Sequence, residues 1–157
     1  MVKKERLLIL GPSFRRKRST DLLSAFERFD GVFYRIAKKR LKDRSISKSV
    51  DIVVMTDKLT LIDGSAPMPN DAPEGATWGG KKIPKENIKN AKKDNYIYLE
   101  KKFRGAKYNE VFIAMGRDYA TAIPDLTQYG VTVIFPTSGG IGPKAVALNE
   151  WFTSILS

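Results

Sequence analysis

The stretch Val131-Thr132-Val133-Ile134-Phe135-Pro136-Thr137-Ser138-Gly139-Gly140-Ile141-Gly142-Pro143-Lys144 reads as a β-strand, a glycine turn and a helix start. Residues 131–135 are apolar and β-branched over strand length, bounded by Pro and Gly. Residues 144–156 follow with Val146, Leu148, Trp151, Phe152 and Ile155 at helical spacing. A strand that feeds a helix through a tight turn is the unit of a parallel α/β sheet. The same order occurs at the front of the chain. Residues 6–10 (RLLIL) form an apolar run, and Gly11-Pro12-Ser13-Phe14-Arg15-Arg16-Lys17-Arg18 makes a basic turn after it. If both strands lie in one parallel sheet, both turns open at the same edge.

Between these units the alternation continues. Ser19 or Thr20 can cap a helix over 21–29, with Leu22, Leu23, Phe26 and Phe29 on one face, and Asp30-Gly31 breaks it. Residues 32–42 are also helical in period, with Phe33, Ile36, Ala37 and Leu41 inward. Residues 50–55 (VDIVVM) read as a second core strand, and 59–62 as a hairpin partner or the start of a loop. From 63 to 82 three prolines and four glycines make the chain irregular. Such a long loop carries function or moves. Trp78 sits within it as a candidate interface anchor. Pro84 suits the first turn of a helix over 85–104, which Asp94-Asn95 can split in two. Residues 108–115 read as the third core strand, and 117–123 as a short helix stopped by Pro124. The expectation is a single α/β domain over 1–157. It is a three-layer sandwich with a mostly parallel central sheet and helices on both faces.

Composition narrows the chemistry. The chain has 157 residues and neither Cys nor His. Disulfides, thiolate sites and thiol nucleophiles are excluded, along with the commonest general base and zinc ligand. Nothing calls for a cofactor, and any metal would be a hard cation on carboxylates. No apolar run approaches the ~20 residues that span a bilayer, and residues 7–10 are too short for a signal peptide. A cytoplasmic protein with no membrane partner is expected. The net charge of +11 is clustered. Residues 1–44 hold 14 Lys/Arg against 5 Asp/Glu, and 81–107 hold 10 against 3, whereas 45–80 and 108–157 are net negative. Clustered positive charge is the footprint of a polyanion binder, although a solvated lysine surface has the same composition.

Four constellations carry candidate chemistry. Gly139, Gly140, Gly142 and Lys144 at a helix start can hold an oxyanion on main-chain N–H groups. The spacing is not that of a P-loop, Pro143 removes one donor, and a tight strand-to-helix connection needs the same glycines. Ser13, Arg15, Arg16 and Lys17 follow the first strand. Arg can fork onto phosphate and Phe14 can stack on a base. Asp118 and Tyr119 follow the third core strand, where they can handle a proton or merely cap and pack. Asp57 and Lys58 follow the second, as a candidate catalytic pair or an exposed ion pair.

Taken in order, the Ser-containing basic turn, Gly-Val-Phe-Tyr at 31–34, Val-Asp-Ile-Val-Val-Met-Thr-Asp-Lys-Leu-Thr-Leu-Ile at 50–62, Val-Phe-Ile-Ala-Met-Gly-Arg-Asp-Tyr at 111–119 and the Gly-Gly-Ile-Gly-Pro-Lys turn form a series. The series resembles the YaaA-like superfamily, which includes a related domain of archaeosine synthases. The resemblance spans most of 6–152. That family's first loop has Ser/Cys-x-x-Lys, whereas Ser13 and Lys17 stand one residue further apart. Its second strand runs into Ser-Ala-Lys/Arg-Tyr/His-Gly-Leu, whereas this chain has Thr56-Asp57-Lys58-Leu59-Thr60-Leu61 and no Gly. The resemblance implies an α/β fold, nucleic-acid binding and a cleft like those of base-processing enzymes.

The leading expectation is a nucleic-acid-binding domain, DNA or RNA, whose segments 1–44 and 81–107 hold phosphates and whose cleft is lined by Arg15, Arg16, Lys17 and Lys144. The alternatives are an enzyme on a nucleotide or nucleobase, using Asp118, Tyr119, Asp57 and Lys58, and a structural subunit that meets an acidic protein.

Overall fold

A computed structural model describes residues 4–68 and 82–156. Trp78, the expected interface anchor, lies outside the described residues. The fold is α/β, built on a five-stranded, mostly parallel sheet. β1 (Arg6–Leu10), β3 (Val50–Met55), β6 (Glu110–Ala114) and β7 (Thr132–Ile134) run parallel. β4 (Leu61–Asp63) returns antiparallel to β3, so the order across the sheet is β4-β3-β1-β6-β7. β1 lies at the centre with Arg6 opposite both Val50 and Glu110.

Two-residue alternation divides the core. Leu7 and Ile9 enter one cluster with Val53, Met55, Val111 and Ile113, while Leu8 and Leu10 enter another with Val54, Phe112 and Ala114. The long helix α4 (Lys85–Gly105) supplies Ala91 and Leu99 to the first cluster. α2 (Val32–Arg40) and α6 (Ile141–Ile155) supply Tyr34, Ala37, Leu148, Trp151 and Phe152 to the second. The two basic segments therefore place their helices against opposite faces of the sheet. Both faces of β1 are buried, which explains why it reads as an unbroken apolar run.

Several boundaries differ from the sequence expectation. The helix expected over 21–29 shrinks to α1 (Ala25–Arg28). Residues before it are extended instead, because β2 (Leu23–Ser24) pairs with β5 (Pro67–Met68), inside the stretch read as irregular. The cap is Ser24, which accepts from Glu27 N and donates to its carboxylate at 2.9 Å. Leu22, assigned to a buried face, is 69% exposed. α4 is one helix, because the buried Asn95 amide accepts from Leu61 N and donates to Leu59 O and Ala122 O. A polar side chain that breaks an isolated helix here fastens one to its neighbours. Tyr96 and Ile97 on α4 are exposed. α5 (Arg117–Ala120) is shorter than expected, and α3 (Arg44–Ser47) with its Asp43 cap was not expected at all. α6 starts at Ile141 rather than Lys144, since Pro143 fits a first turn whose N–H groups have no intrahelical acceptor.

Candidate functional site

The chain leaves β1 toward β3 on one side and reaches β6 on the other, so the strand order reverses between β1 and β6. Ligands of open α/β sheets bind in the crevice beyond the strand ends at such a reversal. A crevice of about 450 Å³ lies there, the size of a small-molecule site. Gly11 to Arg15 after β1 form one wall and Met115, Gly116 and Tyr119 after β6 another. Asp30 and Gly31 before α2, Val32 to Arg35 in its first turn, and Ile141 from α6 complete it. Gly11 is required here, because a Cβ at that position would stand 2.5 Å from Met115 Cβ. The lining is mostly apolar and aromatic. Phe14 is 61% exposed at the mouth. The Gly31 cap of α2 has no side chain to occupy the first N–H groups of the helix.

The basic loop is braced rather than loose. Residues 16–17 run beside 28–29, through an Arg16–Phe29 bridge and the Lys17 N to Arg28 O bond of 2.8 Å. Extended backbone sends successive side chains to opposite sides, so four consecutive cations cannot all face a ligand. Arg15 and Lys17 are exposed, whereas Arg16 turns inward. Its Nη2 donates to both carboxylate oxygens of Asp57 at 2.5 Å, and its guanidinium lies 5.0 Å from the Phe29 ring centroid. Arg16 Nε is buried without a hydrogen-bond partner among the described residues. Ser13 is also buried, and its hydroxyl donates to Arg15 O at 2.8 Å.

Arg28, which no motif in the sequence singles out, holds the loop from beneath. It is 1% exposed, and it donates to the carbonyl oxygens of Lys17, Ser19, Asp21 and Met68 at 2.8–3.0 Å. Tyr34 ties α2 to the same edge by donating to Gly11 O at 2.7 Å. Burial first, and then the nearby Asp57 charge, hold the Tyr34 hydroxyl well above its ordinary pKa, so it remains a donor. The signal for these residues was topological. The residues after β1 and β6 and the first turn of α2 converge only once the strand order is known.

The expected catalytic residues do not converge. Tyr119 lines the crevice, while Asp118 in the first turn of α5 is exposed. Asp57 is committed to Arg16, and Lys58 is exposed in the β3–β4 turn. The Gly139–Lys144 segment meets the crevice through Ile141. Gly139 adopts φ 77°, and a Cβ there would stand 2.8 Å from Pro143 Cγ, so its glycine serves the turn itself. Gly140 caps α6, Gly142 is exposed in its first turn, and Lys144 is half-buried one turn in. Among the described residues no group of three or more His, Cys, Asp or Glu is placed to hold a metal ion.

A second polar cluster lies near the start of β3. Lys102 bridges Asp51 at 3.1 Å and Asp63 at 3.0 Å. Tyr108 donates to Asp51 at 2.6 Å, and Tyr98 donates to Asp63. The Tyr98 hydroxyl, with help from Lys102, holds the Asp63 carboxyl below its ordinary pKa. Burial pulls Lys102 down, but Asp63 and Asp51 outweigh it and leave it above its ordinary value. Every charge here has an opposite partner, and the cluster fastens α4 to β3 and β4.

Comparison of the chain with protein families, curated proteins and solved structures returned no match. Among the described residues no helix is long and apolar enough to cross a membrane.

Proposed function

We propose that this protein binds nucleic acid, and that the crevice between the β1 and β6 loops receives one nucleotide unit. The observation that carries this reading is the composition of the crevice wall. An apolar, aromatic lining is bordered by the exposed cation Arg15, by the Arg35–Asp30 pair and by the uncapped first turn of α2. A nucleotide joins a flat base, whose faces can stack, to an anionic phosphate, so it matches such a wall on both counts. A volume near 450 Å³ admits one nucleotide and not a folded polymer. The resemblance to the YaaA-like superfamily points to the same partner class. Arg28 and the Arg16–Asp57 pair brace the backbone that carries Arg15 and Lys17.

The test is binding of labelled short DNA and RNA, single- and double-stranded, across a salt series. Arg15→Ala/Lys17→Ala should weaken binding and lower the log–log salt slope by about 0.7 on single strands, or about 0.9 on duplex, for each phosphate no longer neutralised. Phe14→Ala should weaken binding by roughly 5- to 150-fold with the slope unchanged, as expected for removal of about 1–3 kcal/mol of stacking. Absence of binding near ~150 mM salt, a physiological ionic strength, overturns the reading. Tyr119 in the crevice wall favours a second reading, an enzyme acting on a nucleotide or nucleobase. Binding of free nucleotides as tightly as oligonucleotides, with turnover abolished in Tyr119→Phe, would support it.

A further inference from the structure

Part of the positive charge of segment 1–44 is committed to partners, while Lys4, Arg15, Lys17, Lys39, Lys42 and Arg44 are exposed. Arg6 pairs with Glu110, Arg16 with Asp57, and Arg35 and Lys38 with Asp30, while Arg28 is buried among carbonyls. Segment 81–107 also has paired cations, Lys102 with Asp51 and Asp63 and Arg104 with Glu100, but it gathers exposed lysines on one helix. Lys85, Lys89, Lys92 and Lys93 are exposed, and none is in an ion pair among the described residues. At 3.6 residues per turn these four and Tyr96 fall within roughly 100° of arc over about 17 Å of helix. Tyr96 is 46% exposed at the end of that stripe. Glu86 and Asp94 project outside the arc. Glu100, next along it, is half-buried and accepts from Tyr129 Oη at 3.0 Å, which closes the stripe. The adjoining side of α4 carries Ala91, Asn95 and Leu99 against the sheet, on the face away from α2 and α6.

We infer that the Lys85–Lys89–Lys92–Lys93 stripe is the principal track for the phosphates of a single nucleic-acid strand, with Tyr96 stacking on a base. It is a polymer surface distinct from the crevice. The inference rests on nucleic acid being the partner, but not on what occupies the crevice. Lysines give sequence-independent attraction, and the exposed ring favours unpaired bases over an acidic peptide.

The experiment compares the full chain with Lys85→Gln/Lys89→Gln/Lys92→Gln/Lys93→Gln, using a fluorescent 20-nucleotide DNA strand across a salt series. Gln matches Lys in helix propensity, and the positions are exposed, so the helix survives. Lys39→Gln/Lys42→Gln/Arg44→Gln/Lys48→Gln removes the same charge from the other side as a control. The α4 variant should drop by about 3 in the log–log slope and about 100-fold in affinity near 0.15 M salt, at ~0.7 per neutralised phosphate. The control should change by less than about a third of that. Tyr96→Ala should weaken binding at unchanged slope. Equal effects in the α4 variant and the control would overturn the inference, as would an α4 variant that no longer binds polyglutamate while keeping DNA. Wild-type protein that binds no nucleic acid defeats the nucleic-acid reading itself. DNA binding sensitive to Arg15→Ala/Lys17→Ala but not to the α4 changes defeats only the stripe.

Discussion

Arg28 shows how far one residue can depart from its sequence context. In the sequence it ends a short amphipathic turn, yet it is 1% exposed and serves four carbonyl oxygens. A planar fork with five donors can do this, and a lysine ammonium cannot. Arg28→Ala should destabilise the protein by about 3 kcal/mol or more, read from the denaturant midpoint, because buried acceptors lose their donors together. Arg28→Lys should recover only part of that. Gly11 gives a second residue-scale prediction. Gly11→Ala should cost about 1–3 kcal/mol, since the added Cβ meets Met115 Cβ at 2.5 Å. Met115→Ala cannot rescue it, because alanine keeps that atom, whereas Met115→Gly should restore the Gly11→Ala variant's spacing. Leu59 sits at φ 68° and is 1% exposed. The left-handed conformation costs about 1–2 kcal/mol, and burying the side chain returns about 1.5–3. Replacing it with glycine should therefore bring no net gain in stability.

At the scale of elements, the reliable signals were long apolar runs and helical stripes, as in β1, β3, α2 and α6. Short elements were governed by partners remote in sequence. Residues 21–24 have helical spacing, but Leu23 and Ser24 enter a strand, because Pro67 and Met68 arrive beside them. Asn95 has low helix propensity, yet α4 continues through it because three main-chain groups of the β3–β4 turn and the α5 end need its amide. Asn95→Ala should keep α4 helical by circular dichroism. It should lower unfolding free energy by about 2–4 kcal/mol, since three buried main-chain groups lose their partner. Had Asn95 been only a helix interruption, alanine would stabilise the protein. The basic loop follows the same rule. Its cations are adjacent in sequence, and extended backbone sends Arg16 inward while Arg15 and Lys17 face solvent.

Across the whole molecule, carboxylates tied to hydrogen bonds couple stability to pH. Asp63 is held below its ordinary pKa of 3.8 by Tyr98 and Lys102, and Asp43 and Asp125 by their capping bonds to Ser45 and Thr127. A depressed folded-state pKa means that the contribution is complete above 3.8 and disappears as pH falls through the lower folded value. Unfolding free energy measured by urea titration should therefore fall below about pH 4, and Asp63→Asn should flatten that decline without abolishing it. What was legible at each level follows from the range of the interactions. Alternating apolar runs and amphipathic stripes determined the α/β class from sequence alone, because burying a strand on two faces and a helix on one leaves a local periodic imprint. The clustering of charge was equally local. Strand order, the reversal between β1 and β6, the inward turn of Arg16 and the burial of Arg28 were decided only in the tertiary structure. Each depends on contacts between residues far apart in the chain, and neither hydrophobic period nor charge count carries information about which distant partner arrives.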